Sequence, residues 1–276
     1  MAEVAVVTGA SAGIGWAYAE ALAARGYDLV AVGRRAERLD ELATQVMAEH
    51  GVQVDAVAAD LADDDDVARL CRRLATAPPE LLVNNAGLAH YKPFADLPPE
   101  QARELIDVNV TAPVLLTRAV LPGMVARGSG AVVNIASLLA FSGAATAEFM
   151  PKRAVYAATK SFIVTYTQIL AGELAGTGVR VQVVCPGIVR TEFHSRQGMD
   201  PSRMQAMTPG LLVRASLADL DAGILVSVPG HPDPAAAMAA LTGSQAVLTS
   251  AARATELPDR YESPATNEAA GGSTRA

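Results

Sequence analysis

The stretch Val4–Gly15, with the sequence VAVVTGASAGIG, decides the fold of this chain. An apolar run ends at Val7, three glycines follow with the spacing GxxxGxG, and a helical pattern continues to Gly26. A strand, a glycine turn and a helix in this order are typical of dinucleotide-binding sheets, where the glycines let the backbone approach a diphosphate and the helix N-terminus stabilises its charge. The spacing differs from the common GxGxxG, so an ordinary strand–helix turn stays open as an alternative.

Strand-like and helical patterns alternate through the rest of the chain. The predicted strands after the first are Leu29–Val32, Val52–Val57, Leu81–Val83, Ala131–Ile135, Val179–Val184 and Ile224–Val228. This alternation implies right-handed crossovers and one parallel sheet. We therefore expect the α/β class, with a single doubly wound Rossmann-like domain over residues 1–263 and helices on both faces of the sheet. The polar residues 264–276 are expected to be a disordered tail.

Composition narrows the classes of function. The chain has 276 residues, of which 51% are hydrophobic but only 4% aromatic, which favours a core of small aliphatic side chains under covering helices. A net charge of -7 without a basic run argues against nucleic-acid binding. We find no signal-peptide pattern and no uninterrupted apolar run near the ~18 residues of a membrane helix, so we expect a cytoplasmic protein without a membrane partner. Cys71 and Cys185 lie far apart and are expected to be reduced thiols, and the four histidines lack metal-binding spacing.

The end of the second strand carries the choice of cofactor. An acidic residue about 20 positions after the glycine turn would bind the ribose 2′-hydroxyl of NAD, whereas arginine suits the 2′-phosphate of NADP. The sequence here is Gly33-Arg34-Arg35, with no acidic residue. Because a guanidinium group can bind a phosphate through two hydrogen bonds, we predict NADP(H) as the cofactor. The alternative is that both arginines only begin the exposed helix that follows.

A tyrosine and a lysine four positions apart indicate acid/base chemistry. In the stretch Tyr156–Lys160, YAATK, both side chains would share one face of a helix. A nearby ammonium group lowers the pKa of a phenol, which makes the pair usable as an acid or base. Taken alone the motif is weak, and it also fits an exposed helix that carries one aromatic and one charged side chain.

Together these motifs resemble the short-chain dehydrogenase/reductase family. The resemblance covers about residues 3 to 192. The motifs that carry it, in the family's order, are Thr8–Gly15, Asn84–Gly87, Asn109, Ser137, Tyr156, Lys160 and Pro186-Gly187. It implies a sheet of about seven strands in the order 3-2-1-4-5-6-7 and an oxidoreductase that transfers a hydride between NADP(H) and a carbonyl or secondary alcohol. It also implies a homodimer or homotetramer.

The resemblance assigns roles to individual residues. Tyr156 would be the general acid in reduction, Ser137 would orient the carbonyl oxygen, and Lys160 would lower the pKa of Tyr156 and hold the nicotinamide ribose. Asn109 would support a proton-relay water, although the residues alone also allow a hydrogen-bonded structural asparagine within a long helix. The implied cofactor-binding residues are Gly9, Ser11, Gly13, Ile14, Gly15, Arg34, Arg35, Asp60, Leu61, Asn85, Ala86, Gly87, Tyr156, Lys160, Pro186, Gly187, Val189 and Thr191.

The interval between serine and tyrosine departs from the family, which usually has a shorter one. Ser137 precedes Tyr156 by 19 positions, and Ser142 precedes it by 14. We assign the role to Ser137 because it closes the fifth strand, and a strand end holds a hydroxyl rigidly. The additional residues would then bulge within 138–153.

Two loops are expected to select the substrate. Residues 138–153 and 190–210 are rich in apolar and methionine side chains beside the expected site, which predicts an apolar ketone, aldehyde or acyl-type substrate. The alternative is that these side chains only pack the loops. His90 and His194 are interpreted as solvated loop residues that could also line the pocket.

Two other functions are compatible with this fold. One is a cofactor-binding regulatory or scaffold protein without turnover, and the presence of Asn109, Ser137, Tyr156 and Lys160 argues against it. The other is epimerisation or dehydration, for which the short C-terminal part leaves little room.

Overall fold

Seven parallel strands form one sheet in the order β3-β2-β1-β4-β5-β6-β7, as predicted. The strands are β1 Val4–Thr8, β2 Asp28–Gly33, β3 Val54–Ala58, β4 Leu81–Asn84, β5 Gly130–Ile135, β6 Val179–Val184 and β7 Val226–Ser227. The last strand is shorter than predicted because the backbone of Ile224 is used elsewhere. Its N–H donates to the carbonyl of Asp219, and its carbonyl accepts from the side-chain amide of Gln182.

The structure is a computed structural model that describes residues 2–143, 150–198, 205–231 and 233. These residues belong to one unit, Met1–Pro234. The predicted domain end at residue 263 and the tail 264–276 lie outside the described residues and stay predictions.

Helices connect the strands. They are α1 Gly13–Ala23, α2 Ala36–His50, α3 Asp64–Thr76, α4 Pro99–Ile106, α5 Ala112–Arg127, α6 Ala154–Glu173, α7 Glu192–Ser195 and α8 Pro209–Asp221, with 3-10 turns at Phe94–Asp96 and Leu138–Phe141. A π-helical segment, Asp107–Thr111, joins α4 to α5.

The core lies on both faces of the sheet, because alternate strand residues point to opposite sides. On one side, Val7 packs in a cluster with side chains of α1, α2 and α8. On the other side, Val6 packs with Leu70 of α3, Leu116 of α5 and Leu170 of α6. Strands that are covered on both faces need apolar residues at every position, which explains the continuous aliphatic runs of the sequence.

The continuous helix Pro99–Arg127 is 29 residues long. Within the described part of the chain, it is the one helix that is long and apolar enough to cross a membrane by length and composition alone. A long helix was expected here from the sequence, but a segment apolar enough to cross a membrane was not, because charged residues interrupt its apolar runs. Leu116, Val120 and Met124 of this helix are fully buried in the core beside the sheet.

Candidate active site

A cleft of about 700 Å³ opens where the parallel strands end. It is lined by the segments that follow β1 to β6, which is the edge where open α/β sheets bind ligands. Its volume lies within the ~300–1,000 Å³ typical of small-molecule sites. All of the predicted site residues line this cleft except Gly15 and Asn109.

The glycine turn after β1 brings backbone close to the cleft. Gly9 has a φ of +69°, and a Cβ there would lie 2.9 Å from the Cα of Ala86. At Gly15 a Cβ would lie 2.3 Å from the carbonyl oxygen of Gly9, so this residue serves the packing of α1 against the turn and does not line the cleft. Only glycine fits both positions.

The N-terminus of α1 is left open toward an anion. Ala12 supplies no side-chain cap, and the first turn of α1 carries no acidic residue. Side-chain oxygens of Asp63 and Thr208 cap α3 and α8, whereas α2, α4, α5 and α6 lack such a cap, as α1 does. What points α1 at a ligand is that its first residues, Gly13 and Ile14, line the cleft. Uncapped N–H groups and the helix dipole together favour a bound phosphate, so this end of the cleft fits the diphosphate of a dinucleotide.

Two guanidinium groups stand beside the glycine turn. Arg35 donates from Nη2 to the carbonyl oxygen of Ser11 at 3.1 Å, and its Nη1 lies 3.0 Å from a carboxylate oxygen of Glu192. Arg34 lies farther from its acidic neighbours, at 3.8 Å from Asp60 and 3.9 Å from Glu104. Both arginines line the cleft, where an anionic group would meet them.

Tyr156 and Lys160 lie on one face of α6 and are 6% and 5% exposed. Lys160 Nζ donates to the carbonyl of Ile135 at 2.9 Å and lies 5.9 Å from the centre of the Tyr156 ring. Burial lowers the pKa of Lys160 to about 8. Burial also raises the pKa of Tyr156, the neighbouring Tyr91 raises it further, and only a hydrogen bond with Ser137 lowers it.

The expected lowering of the Tyr156 pKa by Lys160 is therefore wrong, because burial and the neighbouring groups of the protein together raise this pKa. The loss of water around the phenol outweighs the contribution of its neighbours, and the ammonium group is directed at a backbone carbonyl. The phenol is protonated at neutral pH, which is the state that a proton donor needs.

Ser137 and Ser142 occupy different environments. Ser137 follows β5, lines the cleft, and accepts a hydrogen bond from the N–H of Leu139 at 3.1 Å. Ser142 donates to the carbonyl of Leu139 at 2.8 Å, accepts from Arg153 Nε at 3.1 Å, and is not among the described residues that line the cleft. Of the two serines, Ser137 is thus the one beside Tyr156. Within the predicted bulge, residues 144–149 lie outside the described residues.

Asn109 lies in the π-helical segment and is 1% exposed. Its Oδ1 accepts from the N–H of Leu88 at 3.1 Å, and its Nδ2 donates to the carbonyl of Leu88 at 3.0 Å and to Thr159 Oγ1 at 3.2 Å. A Cβ on Gly87 would contact both Asn109 Oδ1 and Lys160 Nζ, at 3.1 and 3.3 Å. The amide is thus a satisfied structural group close to the ammonium, and its role toward a water stays a prediction.

Two aromatic rings flank Tyr156 and line the cleft. Tyr91 meets it edge-on with ring centres 5.6 Å apart, and Phe193 lies at 6.1 Å. Phe193 falls within the predicted loop 190–210, but no sequence signal marked Tyr91. His90 pairs with Glu104 at 2.9 Å, and the side chain of His194 lies outside the described residues.

Known proteins are similar to this chain in both sequence and fold. The model of the short chain dehydrogenase family matches residues 3–201. A short-chain dehydrogenase from Sphingobium yanoikuyae, solved in complex with NADPH, is 40% identical with a TM-score of 0.87, over 94% of this chain and 100% of that one. A bulky-bulky ketone specific alcohol dehydrogenase from Comamonas testosteroni is 33% identical with a TM-score of 0.82, over 94% and 98%.

A longer relative matches in part. The bovine very-long-chain 3-oxoacyl-CoA reductase (Bos taurus) is 36% identical over 197 residues, which are 70% of this chain and 61% of the length of that protein. The family match covers well over half of the chain, and the strand order and the cleft agree with it. This chain belongs to the short chain dehydrogenase family of oxidoreductases.

Proposed function

We propose that this protein transfers a hydride between NADP(H) and a carbonyl or secondary alcohol of mainly apolar character. One observation carries the proposal. Tyr156, protonated and buried, lies with Ser137 and Lys160 in a cleft that also holds an uncapped helix N-terminus and two arginines. The reduction of a carbonyl by a dinucleotide requires a proton donor and an anion site in one cleft.

The cofactor would lie along the strand ends. The N-terminus of α1 would hold the diphosphate, Arg34 and Arg35 the 2′-phosphate, and Asp60-Leu61 the adenine. Asn85–Gly87 would run along the adenosine, and Pro186–Thr191 would contact the nicotinamide end. The NADPH bound by the Sphingobium relative supports this choice of cofactor. The cofactor supplies the hydride, whereas the protein supplies orientation and electrostatics.

The protein's own groups would handle the proton. Tyr156 donates its phenolic proton to the carbonyl oxygen as negative charge develops there, and Ser137 donates a second hydrogen bond to the same oxygen. The ammonium of Lys160, 5.9 Å from the phenol ring, would offset part of the cost of a buried phenolate, without bringing the pKa of Tyr156 below its ordinary value. Because Tyr156 and Lys160 are buried, packing holds their side chains in place, and they need little reorganisation during the reaction.

Apolar side chains shape the substrate end of the cleft. They include Leu88, Tyr91, Leu138, Leu139, Ile188 and Phe193. Two relatives have names that specify bulky ketones and 3-oxoacyl thioesters, which supports an apolar carbonyl substrate. With NADPH and a panel of carbonyls, we expect kcat/KM to be highest for bulky apolar ketones. A clear preference for small charged carbonyls would contradict this substrate class.

Lys160 gives the reaction a pH dependence. Since burial lowers its pKa to about 8, the ammonium is present below that pH and is lost above it, whereas the phenol of Tyr156, with its raised pKa, stays protonated. We expect kcat for carbonyl reduction to fall as the pH rises through about 8. The residual activity of Lys160→Met should lack this alkaline decrease. A wild-type profile that stays flat to about pH 10 would show that Lys160 does not take part.

We also propose a cytoplasmic homo-oligomer. Large apolar side chains are exposed on the outer faces of α5 and α6, where Leu115, Phe162 and Ile169 are 44%, 45% and 59% exposed. Exposed apolar faces of this kind commonly bind another protein chain. Light scattering should then give a multiple of the 28.5 kDa monomer mass, and a monomer at micromolar concentration would contradict the proposal.

A further inference from the structure

The guanidinium group assigned to the 2′-phosphate already holds a carboxylate. Arg35 Nη1 lies 3.0 Å from Oε2 of Glu192, the first residue of α7, while the other edge of the guanidinium contacts Ser11 in the glycine turn. Both partners of this ion pair line the cleft. The carboxylate thus occupies a donor of Arg35 that a phosphate in the cleft would use.

Glu192 is an anion at neutral pH. Partial burial by itself raises its pKa, but hydrogen bonds and charges from Arg35 and Arg196 hold the pKa below its ordinary value. The side chains of Arg35 and Glu192 are 34% and 50% exposed. An ion pair this exposed contributes at most about 1 kcal/mol to stability, so the fold does not depend on it. The ion pair is important for ligand binding, because both of its side chains line the cleft.

Glu192 forms a second ion pair, with Arg196. Arg196, one helical turn later, donates to the same carboxylate oxygen. When Arg35 turns toward another anion, Glu192 can keep its contact with Arg196. Its carboxylate is then not left unpaired, so the free-energy cost of losing Arg35 is small. Arg34 differs, because its nearest carboxylates are 3.8 and 3.9 Å away and hold it only loosely. The competition for a phosphate is therefore concentrated at Arg35.

We propose that Glu192 is a specificity-determining residue for the cofactor, because its carboxylate is the resident anion that the 2′-phosphate must displace from Arg35. This inference rests on the proposed use of NADP(H). A phosphate group carries about -1.5 to -2 charges at neutral pH and is repelled by a carboxylate on the same guanidinium. NADH has a hydroxyl at that position and does not compete for Arg35. Glu192 therefore weakens the binding of NADPH and leaves that of NADH nearly unchanged. As a result it lowers the ratio by which the enzyme prefers NADPH over NADH.

Glu192 is also adjacent in sequence to a residue at the substrate end of the cleft. Phe193 directly follows Glu192, and its ring lies 6.1 Å from that of Tyr156. A carboxylate released from Arg35 thus belongs to the segment that forms one wall beside the proton donor.

The test compares dissociation constants of NADPH and NADH for the wild type and Glu192→Gln, measured by calorimetric titration. We expect Glu192→Gln to bind NADPH about fivefold more tightly, with NADH changed less than about twofold. Asp221→Asn is the matched control, because it removes the same charge from an exposed ion pair, with Arg25 at 3.0 Å, outside the cleft lining. This control should leave both dissociation constants unchanged. In an Arg35→Gln background, Glu192→Gln should no longer tighten NADPH binding.

Each of three outcomes would overturn the inference. Unchanged NADPH binding would show that Glu192 does not compete. Weaker NADPH binding would show that Glu192 orients Arg35 for the phosphate. Equal tightening of both dinucleotides would place the effect at the diphosphate. A wild type that prefers NADH would contradict the proposed cofactor instead, and the two ratios between variant and wild type would still report on Glu192.

Discussion

Replacing Tyr156 with phenylalanine is expected to lower kcat for NADPH-dependent ketone reduction by about a thousandfold. The variant keeps the ring that packs against Tyr91 and Phe193 and loses only the hydroxyl, so the fold and the cleft should be preserved. Because burial raises the pKa of this phenol, it keeps its proton throughout the neutral range and can donate it to the carbonyl oxygen. Absorbance of NADPH with a bulky ketone measures the loss, and calorimetry should show NADPH binding within about threefold of the wild type.

The matched control is Tyr166→Phe, which makes the same change on the same helix. The Tyr166 ring stacks on Phe162 at 6.0 Å and does not belong to the cleft lining. Its variant should keep wild-type kcat. If Tyr156→Phe also kept most of its activity, the phenol would not be the proton donor.

The second large effect concerns the serine beside that phenol. We expect Ser137→Ala to lower kcat by about a hundredfold, because it removes one of two donors to the developing oxyanion. Ser142→Ala should change kcat less than about threefold, since Ser142 bonds to Leu139 and Arg153 and lies outside the described cleft lining. Steady-state kinetics at saturating NADPH distinguish the two.

Thermal unfolding separates chemistry from folding in this pair. Each variant removes a hydrogen bond of the 3-10 turn, because Ser137 accepts from the N–H of Leu139 and Ser142 donates to its carbonyl. Both variants should therefore melt slightly below the wild type, and a loss of kcat confined to Ser137→Ala then reports on chemistry. The assignment would be wrong if Ser142→Ala abolished turnover while Ser137→Ala retained it.

Local sequence pattern was sufficient to locate the strands, because most of them are covered on both faces, whereas their order in the sheet was expected from the family resemblance. The run Val179–Val184 was predicted from its aliphatic residues alone and is β6 in the structure. The turn at Gly9 was predicted in the same way, because close backbone approach there excludes any side chain. Strands and turns of this kind are determined by residues that are close in the sequence, so they can be predicted from the sequence alone.

Features that depend on distant neighbours were missed. Tyr91 and Glu192 lie in segments without a periodic pattern of apolar residues. The role of each depends on contact with a residue more than 60 positions away, which is Tyr156 for Tyr91 and Arg35 for Glu192. The pKa of Tyr156 was wrongly expected to fall because the sequence shows the nearby Lys160 and does not show the burial. Both the missed contacts and the wrong pKa direction result from tertiary packing, which the sequence does not show.

One measurement tests hydride transfer itself. NADPH that carries deuterium at the transferred position is incubated with the protein and the best ketone of the panel, and the alcohol product is analysed by mass spectrometry. We expect one deuterium on the former carbonyl carbon of the product, with none when Tyr156→Phe replaces the wild type over the same short time. An alcohol product without deuterium, or NADPH that binds and is never consumed by any carbonyl, would contradict the account.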